Sequence, residues 1–198
     1  ATGSIRTLEE FGDVRIHFDW QVPKDGTCGG PPGCNSGIYV MGRYEVQLLL
    51  TTDPREPKMG GLHPDHPELS CGSFYGTHAP INLEPDPSKP PKYADPVRPK
   101  GEWNDVDIYF RAPRLDSKGH MTEVPRGTVL INGVIVQYDA ILTEPTALPW
   151  LEGNATKGPI FIEDNNDKIN FANIWARDVP AIVSDMVVAL AGEPDVYP

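Results

Sequence analysis

No apolar run of about 18 residues, the length a membrane-spanning helix needs, occurs in this chain. Cations are also few: 17 Lys and Arg against 28 Asp and Glu leave a net charge of −11, which repels phosphate backbones. Walker-loop, nucleophile-elbow and dinucleotide-binding sequences are missing as well, which argues against those classes of active site. The sequence therefore predicts no membrane span and no nucleic-acid partner.

Proline and glycine, in contrast, are abundant. The 198 residues include 22 Pro and 19 Gly, too many for a helical bundle, because proline breaks helix interiors. Many short strands joined by turns accommodate both residue types. The composition therefore favours an all-β domain.

Only three cysteines are present. Cys28 and Cys34 lie in a loop rich in Gly and Pro, where we expect a disulfide rather than two free thiols, because a flexible loop gains most from such a tie. Cys71 stands beside a strand-like segment and is expected to be a buried free thiol. Asn154 begins a glycosylation sequon. Disulfide and sequon together predict an extracytoplasmic protein, periplasmic, secreted or at the cell surface, whose signal peptide has been removed.

Alternating apolar and polar residues mark a series of strands. In DVRIHFDW, residues 13–20, Val14, Ile16 and Phe18 share one face, whereas His17 and Asp19 share the other. Similar patterns predict further strands over 37–41, 44–50, 103–111, 158–163 and 169–177. Residues 53–70 and 84–101 are predicted as long loops.

The strongest local signal is a hairpin. Asn132-Gly133, the preferred pair of a type I′ turn, separates strands predicted over 128–131 and 134–138. After the strands, a short amphipathic helix over 180–191 is expected, with a β-branched strand as the alternative. We therefore predict two antiparallel sheets in a sandwich over 1–177, followed by a helix or tail over 178–198 that is a candidate assembly element.

Six ordered segments carry a family resemblance: EFGDVRIHFDWQVP, CNSGIYVMGRYEVQLL, CGSFYGTHAP, GEWNDVDIYFRAPR, VLINGVIVQYDA and GPIFIEDNNDKINFANIWAR. From about Glu10 to Arg177 the chain resembles the 3-keto-disaccharide hydrolase family. The resemblance implies a concanavalin-like jelly roll. It also implies that carbohydrate is the partner, as glycosides oxidised to a ketone at C3 that are cleaved by hydrolysis or by elimination across the C1–C2 bond.

The resemblance also suggests functional residues. Asp19 and Glu45 would form the acid/base pair on one polar face, because a C3 ketone acidifies the C2 proton and the leaving oxygen needs an acid. Arg43 would stabilise an enolate or hold a carboxylate, and Trp103 either stacks on a pyranose or lies in the core. The other expected substrate-binding residues are Gln47, Tyr75, Gln137, Glu163 and Asn165.

Four positions depart from the family pattern. Asn165 replaces a histidine, and asparagine is neither a base near neutral pH nor a good metal ligand. Leu50 replaces an Asp, Ala172 an Arg, and Gln21 another Arg. The family also carries opening strands that we expect this chain to lack, so that its sheet edges and tail would support self-association.

Three functions remain open at this point: an enzyme acting on 3-keto-glycosides, a non-catalytic structural subunit of an extracellular polymer or filament, and a non-catalytic carbohydrate-binding module. No cofactor is identified, although the resemblance allows a divalent metal. His63 and His66, with Asp65 and Glu68 nearby, lack a third ligand at fixed spacing, and the EDNND segment is better explained as a turn than as a calcium loop.

Overall fold

The architecture was analysed in a computed structural model, which describes residues 3–29, 33–51, 60–63, 65–81 and 95–180. Eleven strands occur in these residues, together with one 3₁₀ turn at Pro67–Leu69. The strands are β1 (Ile5–Arg6), β2 (Val14–Gln21), β3 (Gly33–Val40), β4 (Tyr44–Thr51), β5 (Asn104–Arg111), β6 (Arg114–Leu115), β7 (Met121–Glu123), β8 (Arg126–Ile131), β9 (Val134–Ile141), β10 (Phe161–Ile162) and β11 (Asn170–Asp178). The described part of the chain contains no helix that is long and apolar enough to cross a bilayer.

Two antiparallel sheets form the sandwich. The first sheet has the order β1-β10-β3-β4, and the second has the order β11-β2-β5-β8-β9. A separate small ribbon pairs β6 with β7. The predicted all-β jelly-roll sandwich of two antiparallel sheets is therefore confirmed. The predicted helix over 180–191 lies outside the described residues except for its first position.

The core lies between the two sheets. β2 and β5 each alternate strictly between buried and partly exposed residues, so one face of the second sheet is mostly apolar, with the polar Asn104 at the start of β5. Across the core, the Tyr44 ring of β4 packs against the Phe110 ring of β5, with 5.3 Å between centroids. Ile38 and Val46 of the first sheet and Ile108 of the second are almost completely buried. This packing fixes which side of each strand faces outward.

Two hairpins connect neighbouring strands as the sequence indicates. Asn132 and Gly133 both have positive φ, 50° and 77°, and Ile131 pairs with Val134, as a type I′ turn requires. Between β3 and β4, Met41 and Gly42 also have positive φ, and Val40 pairs with Tyr44. This second hairpin places the outward residues of β3 directly beside those of β4.

Strand boundaries differ from prediction at β3, which begins at Gly33 instead of residue 37, and at β10. A strand was predicted over 158–163, but only Phe161–Ile162 pairs with β3. Gly158 instead forms an isolated bridge with Phe11, which draws this part of the chain away from the sheet. The short strands β1, β6 and β7 have no alternation long enough to be detected.

Both faces of β4 are covered. Every residue of β4 is buried, including Glu45 and Gln47 on the side that points away from the core. Residues 72–75 run beside β4 as an added strand, because Gly72 N donates to Gln47 O and Tyr75 N donates to Glu45 O. The outward face of the first sheet is therefore bordered by loops rather than by open solvent.

Candidate active site

The candidate site is built on the outward side of β3 and β4. Strand pairing places Tyr39 opposite Glu45 and Gly37 opposite Gln47. Residues alternate along both strands, so these four positions share one face while Ile38 and Val46 enter the core. We call Tyr39, Glu45, Gln47, Tyr75 and Glu163 the Glu45 site.

Gly37 allows the Glu45 side chain to lie across β3. A Cβ added to Gly37 would lie 2.9 Å from Cδ of Glu45 and closer still to Oε1. No real side chain tolerates such an approach, so the carboxyl group occupies space that only glycine leaves free. Glu163 is held at the same place, because its backbone N–H donates to Gly37 O at 2.9 Å. The two acids are therefore neighbours at Gly37, and the charge of Glu163 acts on the Glu45 carboxyl group.

Burial changes the ionisation of both acids. It raises the pKa of Glu45 to about 8, with a hydrogen bond from Tyr39 opposing the shift and the charge of Glu163 adding to it. Burial also raises the pKa of Glu163, against a hydrogen bond from Asn165. The Asn165 Nδ2 atom donates to Glu163 Oε2 at 2.7 Å. Glu45 consequently keeps its proton at neutral pH.

Two tyrosines complete the electrostatic environment. Burial, the charge that Glu45 carries when ionised, and its hydrogen bond raise the pKa of Tyr39, so its hydroxyl stays protonated and donates to the Glu45 carboxyl group. Burial, followed by the charges of Glu45 and Glu163, also raises the pKa of Tyr75. Tyr75 is thus close enough to sense both acids, and its phenol is a hydrogen-bond donor at physiological pH.

Two buried polar atoms beside the acids have no hydrogen-bond partner among the described residues. They are Oε1 of Gln47 and Oγ of Ser73. The two residues are neighbours, because Gln47 N donates to Ser73 O at 3.0 Å. Buried polar atoms are usually paired, so these two give the buried side of the Glu45 site further polar character.

Asp19 does not belong to the Glu45 site, so the predicted pairing of Asp19 with Glu45 is wrong. Asp19 lies on β2 in the second sheet, with its side chain on the face opposite to Phe18 and Trp20. There it accepts a hydrogen bond from Asn173 and lies 3.7 Å from His17 Nε2. Because both acids point away from a shared core, they lie on opposite sides of the sandwich.

Two further predicted residues, Arg43 and Gln137, have other roles. Arg43 donates to the carbonyl oxygens of Met41, Glu152 and Gly153, so its guanidinium holds the hairpin and a loop instead of a ligand. Gln137 lies on β9 of the second sheet, where its buried amide donates to His78 O at 3.0 Å.

Trp103 immediately precedes β5 in the second sheet and is exposed, so it is neither a core residue nor part of the Glu45 site. Gln47, Tyr75, Glu163 and Asn165 are therefore the predicted binding residues that the fold brings to Glu45.

Sequence reasoning missed Tyr39 and the aromatic residues beside it. Trp150 stacks on Phe161 with 5.3 Å between ring centroids, and its edge contacts the Tyr39 ring at 6.1 Å. Tyr39 lies in the apolar run GIYVM, which shows no polar face. Pairing this run with GRYEVQ as a hairpin would have placed Tyr39 opposite Glu45. Trp150 follows a proline in a loop and carries no periodic signal.

The cysteines and the sequon occupy the following positions. Cys28 and Cys34 form a disulfide, and Cys71 is free and buried. Asn154 lies in an exposed loop.

Residues 164–167 form a turn, in which Asn166 N donates to Asp164 Oδ1 and Asp167 accepts from the backbone of Gly29 and Asn35.

The described residues do not offer a donor set for the divalent metal that the resemblance allows. No group of three or more His, Cys, Asp or Glu side chains in this part of the chain is arranged to hold a metal ion. His63 Nδ1 accepts from the backbone of His66 at 3.0 Å, and His66 pairs with Glu68. Both histidines are therefore engaged in local hydrogen bonds.

Solved structures share this fold. One, from Parabacteroides distasonis ATCC 8503, provisionally described as a glycosyl hydrolase, is 30% identical with a TM-score of 0.67; the match covers 89% of this chain and 68% of that one. Two others from the same organism, described in the same way, are 16% and 20% identical with TM-scores of 0.54 and 0.52. Each of those two matches covers 89% of this chain. The first covers 76% of the chain in the solved structure, and the second covers 83%.

No curated protein matches the chain. Residues 1–177, which include every residue of the Glu45 site, match a single family over most of the chain. The protein is a member of the 3-keto-alpha-glucoside-1,2-lyase-like domain family, and its domain is of a carbohydrate-active type.

Proposed function

We propose that the protein cleaves 3-keto-glycosides at the Glu45 site, with Glu45 as the general acid and Glu163 as the general base. The observation that carries this proposal is the pair of neighbouring acids at Gly37, Glu45 through its side chain and Glu163 through its backbone, beside two tyrosines, in a chain of the lyase-like family. Glu163 takes the place that sequence reasoning assigned to Asp19.

The chemistry needs one base and one acid. The C3 ketone acidifies the C2 proton, which Glu163 removes. The electron pair of the C2–H bond becomes the C1=C2 double bond through the enolate, and the C1–O bond breaks with its electrons on oxygen. Glu45 gives its proton to that oxygen. The products are an unsaturated 3-keto sugar and a free alcohol, and addition of water across C1=C2 completes a hydrolysis.

The ionisation states suit these roles. An acid must carry a proton at the working pH, and the pKa of Glu45, about 8, provides this. Burial raises the pKa of Glu163 as well, and Glu163, the more exposed of the two acids, is assigned the role of base. Acid/base catalysis typically divides these roles between two acids in different environments.

The remaining polar groups provide places for the sugar. The phenol of Tyr75 is a donor for the C3 ketone oxygen, where negative charge develops in the enolate. Gln47 and Ser73 are almost completely buried, whereas Tyr75 and Glu163 are partly exposed. A sugar ring that arrives from solvent therefore meets Tyr75 and Glu163 first.

The test is turnover of 3-keto-trehalose, followed through the ultraviolet absorbance of the enone product and through released glucose. We expect Glu45→Gln and Glu163→Gln each to lower kcat by about 100-fold or more, because each removes one proton-transfer group. Asp19→Asn is the matched control and should retain wild-type kcat.

Absence of turnover by the wild-type protein, with and without added divalent metal, would refute the proposed reaction. Binding without turnover would instead favour the carbohydrate-binding module. A fully active Glu163→Gln protein would remove Glu163 from the base role.

We also propose an extracytoplasmic location. Its support is the disulfide between Cys28 and Cys34, a bond that is rare in reducing compartments. Fractionation of the native source, with thiol labelling before and after reduction, tests this. Free thiols at both positions in freshly isolated protein would contradict it.

A further inference from the structure

An exposed aromatic side chain lies at one end of the Glu45 site. One face of the Trp150 ring stacks on Phe161, with 5.3 Å between centroids and planes 12° apart. Phe161 is buried beneath it, whereas Trp150 is 46% exposed. The ring of Trp150 can therefore present only its second face and its outer edge to solvent.

The contact with Tyr39 relates this ring to the acids. The Trp150 ring meets the Tyr39 ring at an interplanar angle of 85° and a centroid distance of 6.1 Å. Tyr39 in turn hydrogen-bonds to the Glu45 carboxyl group. The Tyr39 ring thus lies between Trp150 and the Glu45 carboxyl group.

The loop that carries Trp150 is held firmly. Leu151 N donates to Gly42 O at 2.9 Å, and Arg43 donates to the carbonyls of Glu152 and Gly153 at 2.8 and 2.7 Å. Charge-assisted hydrogen bonds of this kind are stronger than neutral ones. The ring is therefore ordered before any ligand arrives, which lowers the entropic cost of binding to it.

From this arrangement we infer that Trp150 binds the leaving-group sugar of a disaccharide substrate. The inference rests on the proposed function. The 3-keto ring carries both the C2 proton and the glycosidic bond, so it must lie over Glu45 and Glu163 themselves. A ring that lies on Trp150 is displaced from Glu45, the acid that protonates the leaving oxygen, by the Tyr39 side chain, and we place it on the other side of the scissile bond.

A tryptophan ring suits this role. The apolar C–H face of a pyranose packs against a flat aromatic surface, while its hydroxyl groups stay hydrated at the rim. Phe161 stacks on the inner face of the indole, so the orientation of the Trp150 ring stays fixed when a sugar binds to its outer face. The site therefore selects substrates whose aglycone is itself a ring.

The experiment compares two substrates that differ only in the aglycone: 3-keto-trehalose, with a pyranose, and methyl 3-keto-α-glucoside, with a methyl group. Trp150→Ala is expected to lower kcat/KM for 3-keto-trehalose by about tenfold and to change it little for the methyl glycoside. Trp150→Phe should recover most of the loss. Leu148→Ala, on the same loop and 80% exposed, is the matched control.

Equal losses on both substrates, or no loss on either, would overturn the inference. If the wild-type protein turns over neither substrate, the proposed function fails, and the inference is then tested by binding. The Trp150 indole N–H resonance, assigned by its disappearance in Trp150→Phe, should shift with unoxidised trehalose but not with methyl α-glucoside. A resonance that stays in place with trehalose would overturn the inference by this second route.

Discussion

Replacement of Glu45 by glutamine should make the protein more stable at alkaline pH. Glutamine has nearly the shape of glutamic acid, and its carbonyl oxygen still accepts a hydrogen bond from Tyr39. In the folded protein Glu45 holds its proton up to about pH 8, whereas the ordinary pKa of a glutamic acid side chain is 4.5. Between these pH values the folded state binds one more proton than the unfolded state, so the free energy of unfolding falls as pH rises.

The size of the change in the free energy of unfolding follows from the difference between the pKa values of Glu45 in the folded and unfolded states. A shift from 4.5 to about 8, at about 1.4 kcal/mol per pH unit, gives on the order of 5 kcal/mol as an upper limit. The wild-type protein loses this stability between about pH 4.5 and pH 8, and Glu45→Gln does not. Glu163 shifts in the same direction in both proteins, so its contribution largely cancels in the comparison.

The assay is urea denaturation of both proteins at pH 5, 7 and 9. We expect similar midpoints at pH 5 and a higher midpoint for Glu45→Gln at pH 9, with unchanged slopes. Glu102→Gln, which removes an exposed carboxylate next to β5, is the control and should follow the wild-type protein. Parallel pH profiles for wild type and Glu45→Gln would refute the reasoning, because they would mean that Glu45 is ionised at neutral pH and cannot be the acid.

Two further changes test the surroundings of the site. Gly37→Ala should displace the Glu45 carboxyl group, lowering kcat and costing about 1–3 kcal/mol of stability, and a variant with wild-type kcat and denaturation midpoint would contradict the close approach. Replacing Cys28 and Cys34 together by serine should cost about 2 kcal/mol, because the bond closes a short ring, and an unchanged midpoint in urea would contradict this.

Much of the fold follows from local patterns. The alternation in DVRIHFDW predicts β2 and its buried face, and Asn132-Gly133 predicts the β8–β9 hairpin. In both cases neighbouring residues carry all the necessary information, since side-chain direction has a period of two along a strand and a type I′ turn needs two residues with positive φ. The bounds of β10 could not be predicted, because its pairing partners β1 and β3 are far away in sequence.

The content of the site could be predicted only in part. Motif resemblance selected Glu45, Gln47, Tyr75 and Glu163, which the fold does bring together. It also selected Asp19, which the fold separates from them. Trp150 had no signal, because its position depends on Arg43 and Phe161, which join a loop to the β3–β4 hairpin and to β10.

The residue order alone decided that each strand has an apolar and a polar side, and that both Asp19 and Glu45 lie on polar sides. It could not decide whether those two sides meet. Strand pairing assigns β2 and β4 to different sheets, and the sheets bury their apolar sides against each other. Two polar sides that point away from one core must face opposite directions, so Glu45 found its partner in Glu163, across Gly37, and not in Asp19.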